Sequence, residues 1–479
     1  MTQTTPRAGD RAAGAADELD ANPLEVLARF AAEVPTGSLP TEVRHAAERG
    51  VVDLVGVTIA GAVQEDMVPL LEHVGRTYAA GPATAFGLPG RMTPEAAAYV
   101  NGAAGHVLDF DDCNDALGGH PTVVVLPAVL ALAEEVGASA ADTIAAYVVG
   151  VEVAGSMGRC LNMTHYERGW HPTATLGVFG AAAAAARILG ADAATTARAL
   201  AIAASMSSGI KGNFGTFMKP GQVGFATAKG VAAARLAIAG ATANTDVFRG
   251  GHSFPAVFNG APVDWAPLTD LGQQWNIVSP GLVFKLYPCC GSTHAPIDCV
   301  LDLHARGEID PLSVRRIDIS VHPRRLPHTN RPRPLDGLQG KFSVQYATAV
   351  AATRGAVTVG DFADDRVADP AIGELLAAVH VHELPPEEQV VVPGRLDCFA
   401  ATVEVVDDRG THRASVDAPK GSDPARPVSD ADLDTKFVQA AGLALGADAA
   451  AVLKDLHAWC EGTGSLVDLM ATIHDGMRP

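Results

Sequence analysis

No two of the seven cysteines, Cys113, Cys160, Cys289, Cys290, Cys299, Cys398 and Cys460, stand in a C-x-x-C pair. Their odd number and wide scatter exclude a disulfide framework. Zinc ribbons and three-cysteine iron–sulfur sites lack their ligand spacing as well, so the expectation is a protein with no metal and no cofactor. Basic residues are also scarce, 35 Lys+Arg against 54 Asp+Glu for a net charge of -19. That balance argues against nucleic acid and anionic membrane as partners, since both select a basic face, but it leaves room for a small anionic ligand. Aromatic residues are only 5% although 48% of the chain is hydrophobic, which favours closely packed small-residue helices over an aromatic-rich sandwich. No uninterrupted apolar run attains the roughly 18 residues of a membrane span; the longest, around residues 122–133, stops at Glu134 and Glu135. The first 22 residues lack an apolar h-region and read as a disordered leader rather than a signal peptide, which places the chain in the cytoplasm.

What is present is helix. The 479 residues exceed the usual size of one hydrophobic core. From Pro23 onward, Leu24, Leu27, Phe30 and Ala31 fall at helical spacing, and so do Val51, Leu54, Val55 and Ile59. Alanine-rich helices follow over 180–189, 191–206 and 225–238. Near Trp275 the texture changes to short alternating runs, RIDISVH at 316–322 and ATVEVV at 401–406, with helical patterns at 297–305 and 343–353. After Pro427 the chain returns to helix, with Ser429 as the expected N-cap. The fold class expected is mostly α: a discontinuous all-helical domain over 23–278 and 416–479, with an α+β lid domain inserted at 279–415.

Four segments carry candidate chemistry. His106-Val-Leu-Asp109-Phe-Asp111-Asp112-Cys113-Asn114-Asp115 is followed by His120-Pro121 at the start of an apolar helix, a set suited to acid–base work beside an anion-friendly helix start. The aspartates read equally as caps and solvated loop charges. Gly169-Trp170-His171-Pro172 enters an Ala-rich helix, where the dipole favours a neutral imidazole; a histidine in such a place is also commonly a cap. Lys219-Pro220-Gly221 and Lys285-Leu-Tyr287-Pro288-Cys289-Cys290-Gly291-Ser292-Thr293-His294 place one lysine each in Gly/Pro-rich surroundings. Burying an unpaired ammonium is costly unless an anion meets it, and the alternative is a surface lysine.

Taken in order, these segments and Gly-Lys-Phe-Ser at 340–343 closely resemble the MmgE/PrpD family, which includes 2-methylcitrate dehydratase and cis-aconitate decarboxylase. The resemblance runs from about residue 24 to 475. It implies the same discontinuous fold, a cleft between helical domain and lid, and a homodimer. It also implies a pocket lined by Asp109, His120, His171, Lys219 and Lys285. Cys113 stands where decarboxylase-like members carry a threonine, and Cys290 and His328 where they carry a lid histidine and tyrosine. Those three and His294 complete the implied substrate-binding set.

The expected activity is a metal-independent, dehydratase-type lyase acting on a small di- or tricarboxylate-like acid. His171 serves as base, His120 as acid oriented by Asp109, and the lysines meet the developing enolate. Decarboxylation or epimerisation would use the same parts. Two further readings are a cysteine nucleophile at Cys113 or Cys290, and a diverged binding protein.

Overall fold

The computed structural model describes residues 22–260 and 263–477. The leader expected over 1–22 lies outside them except for Asn22, which is an N-cap: its side chain accepts from the Leu24 amide at 3.2 Å. Helix Pro23–Glu33 then buries Leu24, Leu27, Ala28 and Ala31, the stripe set by their spacing. Thr41–Ala62 is buried on every side from Gly50 on, so it runs through the interior.

Small residues let the central helices approach one another. Met218–Ile238 packs on Pro94–Val107 and on Gly177–Ile188. A Cβ at Gly224 would meet the Tyr99 carbonyl oxygen at 2.4 Å, and one at Gly230 would meet Ala181 Cβ at 2.4 Å. Larger side chains there would push the helices apart. Two described stretches are long and apolar enough, by length and composition, to cross a membrane: Ala140–Leu161 and Asp430–Cys460. Charged residues interrupt both, so neither shows as an uninterrupted run. In the first, 89% of the apolar window is buried inside the protein, against 44% in the second.

A hairpin of β1 (Ala80–Thr84) and β2 (Arg91–Met92) borders the helical body. The main sheet lies further along the chain, with β3 (Arg316–Val321), β4 (Val379–Glu383), β5 (Ala401–Asp407) and β6 (Gly410–Val416) in the order β4-β3-β5-β6. β3 runs parallel to β4 and antiparallel to β5. Its alternation puts Ile317, Ile319 and Val321 into a core shared with helices His294–Ala305 and Val344–Arg354. The edge strands β4 and β6 were not evident in the sequence, since their exposed positions dilute the two-residue period.

The two largest apolar cores among the described residues are distinct. One gathers Leu24 through Ile277 and resumes at Phe437 through Ile473, and the other holds Cys289 through Val416. The chain re-enters the first core at Asp430–Leu445, which Ser429 and Asp432 open with a reciprocal capping box and which packs on Thr41–Ala62.

Candidate active site

Helix Pro94–Val107 ends beside His106, and two residues later Asp109 takes φ 49°, the one positive φ among described non-glycine residues. Aspartate tolerates this left-handed conformation better than most side chains. The turn presents both Asp109 oxygens, main-chain and side-chain, to the lysines. Lys285 Nζ donates to the Asp109 carbonyl at 2.8 Å and to Oδ1 at 2.7 Å, and Lys219 Nζ donates to the same Oδ1 at 2.8 Å. Burial opposes ionisation of Asp109, but Lys219 and Lys285 overcome it and hold the carboxyl well below its usual range. Lys219 sits in the first turn of Met218–Ile238 rather than in a loop between helices. The two lysines therefore already share an internal carboxylate, and the three groups together offer one spare positive charge.

Asp111 holds two histidines. Its oxygens lie 2.9 Å from His106 Nδ1, and Oδ2 lies 3.2 Å from His120 Nδ1. Asp109 Oδ1 is 3.9 Å from His120 Nε2. The nearer carboxylate orienting His120 is thus Asp111, not Asp109 as the sequence suggested. Burial acts to lower His120, yet the Cys113 sulfur and the Asp111 carboxylate push it up to about 10. Cys113 Sγ is 3.7 Å from His120 Nδ1. His106, fully enclosed, is brought down to about 4 by burial despite Asp111; its ring meets that of His120 edge-on at 4.6 Å.

His171 is in the opposite state. It precedes a single turn, Pro172–Thr175, before the longer Gly177–Ile188 helix begins. Burial first, then the charges of Lys219 and His106, keep it well below its ordinary value, so the neutral ring rests mainly on desolvation rather than on a long helix dipole. Its Nδ1 is 3.0 Å from Gln222 Oε1, and Gln222 Nε2 donates to the Ile210 carbonyl at 3.1 Å. That second bond fixes which end of the amide faces the ring, so Nδ1 carries the proton and Nε2 keeps its lone pair. The His120 amide donates to Thr173 Oγ1 at 3.1 Å, tying the two histidine-bearing helix starts together.

These side chains line a cavity of about 340 Å³. Asp109, Cys113, His120, His171, Lys219 and Lys285 come from the helical body, and Cys290, Ser292, His328 and Phe342 from the α+β unit. His328 Nε2 is 3.2 Å from Ser292 Oγ, and burial with Arg325 and Lys211 lowers it to about 3. His294, expected to bind substrate, is not among the lining residues: it is buried 3.2 Å from the Cys289 carbonyl oxygen with its ring against Tyr287. Its neighbours are the protein's own backbone and core. His106, Asp111, Gln222 and Phe214 escaped singling out as site residues. For His106 and Asp111 the polar cluster was a usable signal, whereas nothing local marks Gln222.

Donor atoms of His106, Asp109, Asp111 and His120 lie within 4.8 Å of one another, close enough to hold a metal ion. Two of their donor atoms, His106 Nε2 and Asp109 Oδ2, are buried without a hydrogen-bond partner, but the others face positive groups. Two ammonium groups occupy Asp109 Oδ1, and Asp111 faces two imidazoles. A divalent cation would have to displace or repel those positive groups, so the set fits a metal poorly.

Residues 25–266 match the MmgE/PrpD N-terminal domain and residues 287–461 the MmgE/PrpD C-terminal domain. The chain is 28% identical over 416 residues to the cis-aconitate decarboxylase of Homo sapiens, covering 84% of each. It is 26% identical over 485 residues to the cis-aconitate decarboxylase-like protein oryM of Aspergillus oryzae, covering 95% of this chain and 98% of that one. The cis-aconitate decarboxylase of Aspergillus terreus is 26% identical over 401 residues, 77% of this chain and 81% of its own.

Proposed function

The chain belongs to the MmgE/PrpD family, and we propose that it is a lyase working without metal or cofactor on a small di- or tricarboxylate-like acid. The observation that carries this reading is the placing of two histidines around two lysines, His171 with Nδ1 bonded to Gln222 and Nε2 free, and His120 held by Asp111. His171 Nε2 takes the proton α to a carboxylate. Lys219 and Lys285 then stabilise the charge that develops on that carboxylate. His120 gives its proton to the departing hydroxyl as the C–O bond breaks, and water leaves. Cys113 and Asp111 keep His120 charged, and Asp111 aims it. A homodimer belongs to the same reading and rests on the family resemblance.

Decarboxylation is the second reading, and the names of the curated relatives favour it. There the C–C bond to a carboxylate breaks, the same lysines meet the carbanion-like charge, and His120 delivers the proton to carbon. A panel of hydroxy- and unsaturated di- and tricarboxylates, with water-loss product and released carbon dioxide measured in parallel, separates the two. No turnover of any acid, with active-site histidine variants binding the panel as tightly as the parent, would sink both.

A further inference from the structure

We infer that the cavity has a second, charge-balanced subsite, and that the acid it accepts carries its carboxylates at one end and an apolar substituent at the other. This rests on the functional reading above for the identity of the charged end. The loop 113–120 spans both ends. Its base is closed by the Asn114 amide donating to the Gly119 carbonyl at 2.8 Å and bears Cys113 and His120 beside the lysines. Its tip, Asp115 to Gly118, lies against different elements: a Cβ at Gly158 would meet the Ala116 carbonyl oxygen at 2.1 Å, and one at Gly118 would meet Asn162 Nδ2 at 2.7 Å. Met163, Pro267 and Leu396 also line the cavity, and the Leu396 amide donates to Asp115 Oδ2 at 3.1 Å.

The two ends differ in charge. At the base, two lysines share one aspartate, so a positive charge is left over. Away from the two lysines and their aspartate, the arginines and aspartates of the lining are already matched within the protein. Asp115 is 3.0 Å from Arg395, and Arg159 makes two 2.7 Å bonds to Asp270. Arg324 and Arg325 converge on Asp397 at 3.1 and 2.5 Å, and Arg324 also lies 3.7 Å from Glu167. Arg325 is further tied to the Cys398 carbonyl and lies 3.7 Å over the Phe399 ring. A carboxylate entering this end would meet charges the protein already balances and gain no net attraction, whereas the Ala116, Met163, Pro267 and Leu396 surfaces accept a methylene chain. Specificity then comes from both ends at once, since the lysines select a charged head and the matched pairs discriminate against a second one.

The test is calorimetric binding of 2-methyl-, 2-propyl- and 2-pentylsuccinate to the full chain. Affinity should rise with chain length, by up to about fourfold per methylene buried. Leu396 is 64% exposed, so Leu396→Asp leaves the core untouched, and it should shrink the gain. Methylsuccinate bound with no gain for the longer acids overturns the inference while leaving the charged end intact. An undiminished gain in Leu396→Asp places the tail elsewhere and overturns it as well. Failure of all three acids to bind overturns the inference together with the reading of the lysine end.

Discussion

Gln222 accepts the Nδ1 proton of His171 across 3.0 Å, from a position 51 residues further along the chain. This bond decides which nitrogen of the ring is free for chemistry. Replacing Gln222 by Leu removes the tautomer preference and should lower kcat/KM about 2- to 10-fold, the scale of one neutral hydrogen bond. Gln222→Glu acts through charge: a carboxylate facing Nδ1 favours the imidazolium, so the acidic limb of the kcat/KM profile should move to higher pH. A profile that does not move in Gln222→Glu would remove His171 from the role of base.

The two histidines should produce a broad bell in kcat/KM against pH. His171 lies well below its ordinary value and His120 is raised to about 10, so a neutral base and a charged acid coexist across neutrality. The limbs belong to the coupled pair. Alanine at either position should cost about 10² to 10⁴ in rate. In deuterium oxide, His120→Ala should still exchange the α-proton without forming product, and His171→Ala should do neither. The reverse pattern would exchange their roles.

Asp109 restrains both lysines, and its replacement should show it. Asparagine tolerates the φ of 49°, so Asp109→Asn keeps the turn while releasing two ammonium groups. Carboxylate inhibitors should then bind more tightly by calorimetry, while Lys219→Ala and Lys285→Ala should weaken them by about 2 to 4 kcal/mol. Unchanged affinity in all three variants would place the anion elsewhere.

Cys113 lies beside His120 but is dispensable in the proposed chemistry. Cys113→Ser should keep turnover within about tenfold, the scale of one adjusted hydrogen bond, and chelation by EDTA should leave the rate unchanged. An inactive Cys113→Ser variant that still folds and binds would revive the nucleophile. Activity lost to EDTA and restored by one added ion would reinstate a metal.

Behind the site, the buried Asp112 accepts from Thr122, whose hydroxyl lies 2.6 Å from that of Tyr147, and Asp112 Oδ1 has no hydrogen-bond partner. Burial, with Asp53 and Asp111 adding to it against the Thr122 bond, raises Asp112 to about 8. The folded state thus holds this proton more tightly than the unfolded chain. Its contribution to stability is full below the unfolded value of 3.8 and is lost as pH climbs to about 8. Asp112→Asn should flatten that decline, so the Tm gap between variant and parent should grow in the variant's favour from pH 4 to pH 8. A constant gap would mean that Asp112 is already ionised in the fold.

The sequence by itself determined the helices and the places where chemistry concentrates. Periodicity and capping are local, so Leu24, Leu27 and Ala31 on one stripe and Ser429 before Asp430–Leu445 were legible without a partner in view. His120-Pro121 and His171-Pro172 likewise mark helix starts wherever they fold. Tertiary structure decided the charge states. Asp109 meets Lys219 and Lys285 from 110 and 176 positions away, and Lys436 reaches the Phe110 carbonyl across 326. No local pattern encodes such pairs, because each side chain answers to its own element's geometry while burial makes the ionisation depend on whichever charge arrives from another. Asn22, by contrast, caps locally, accepting from the Leu24 amide two residues on, and only its burial depended on the packed fold.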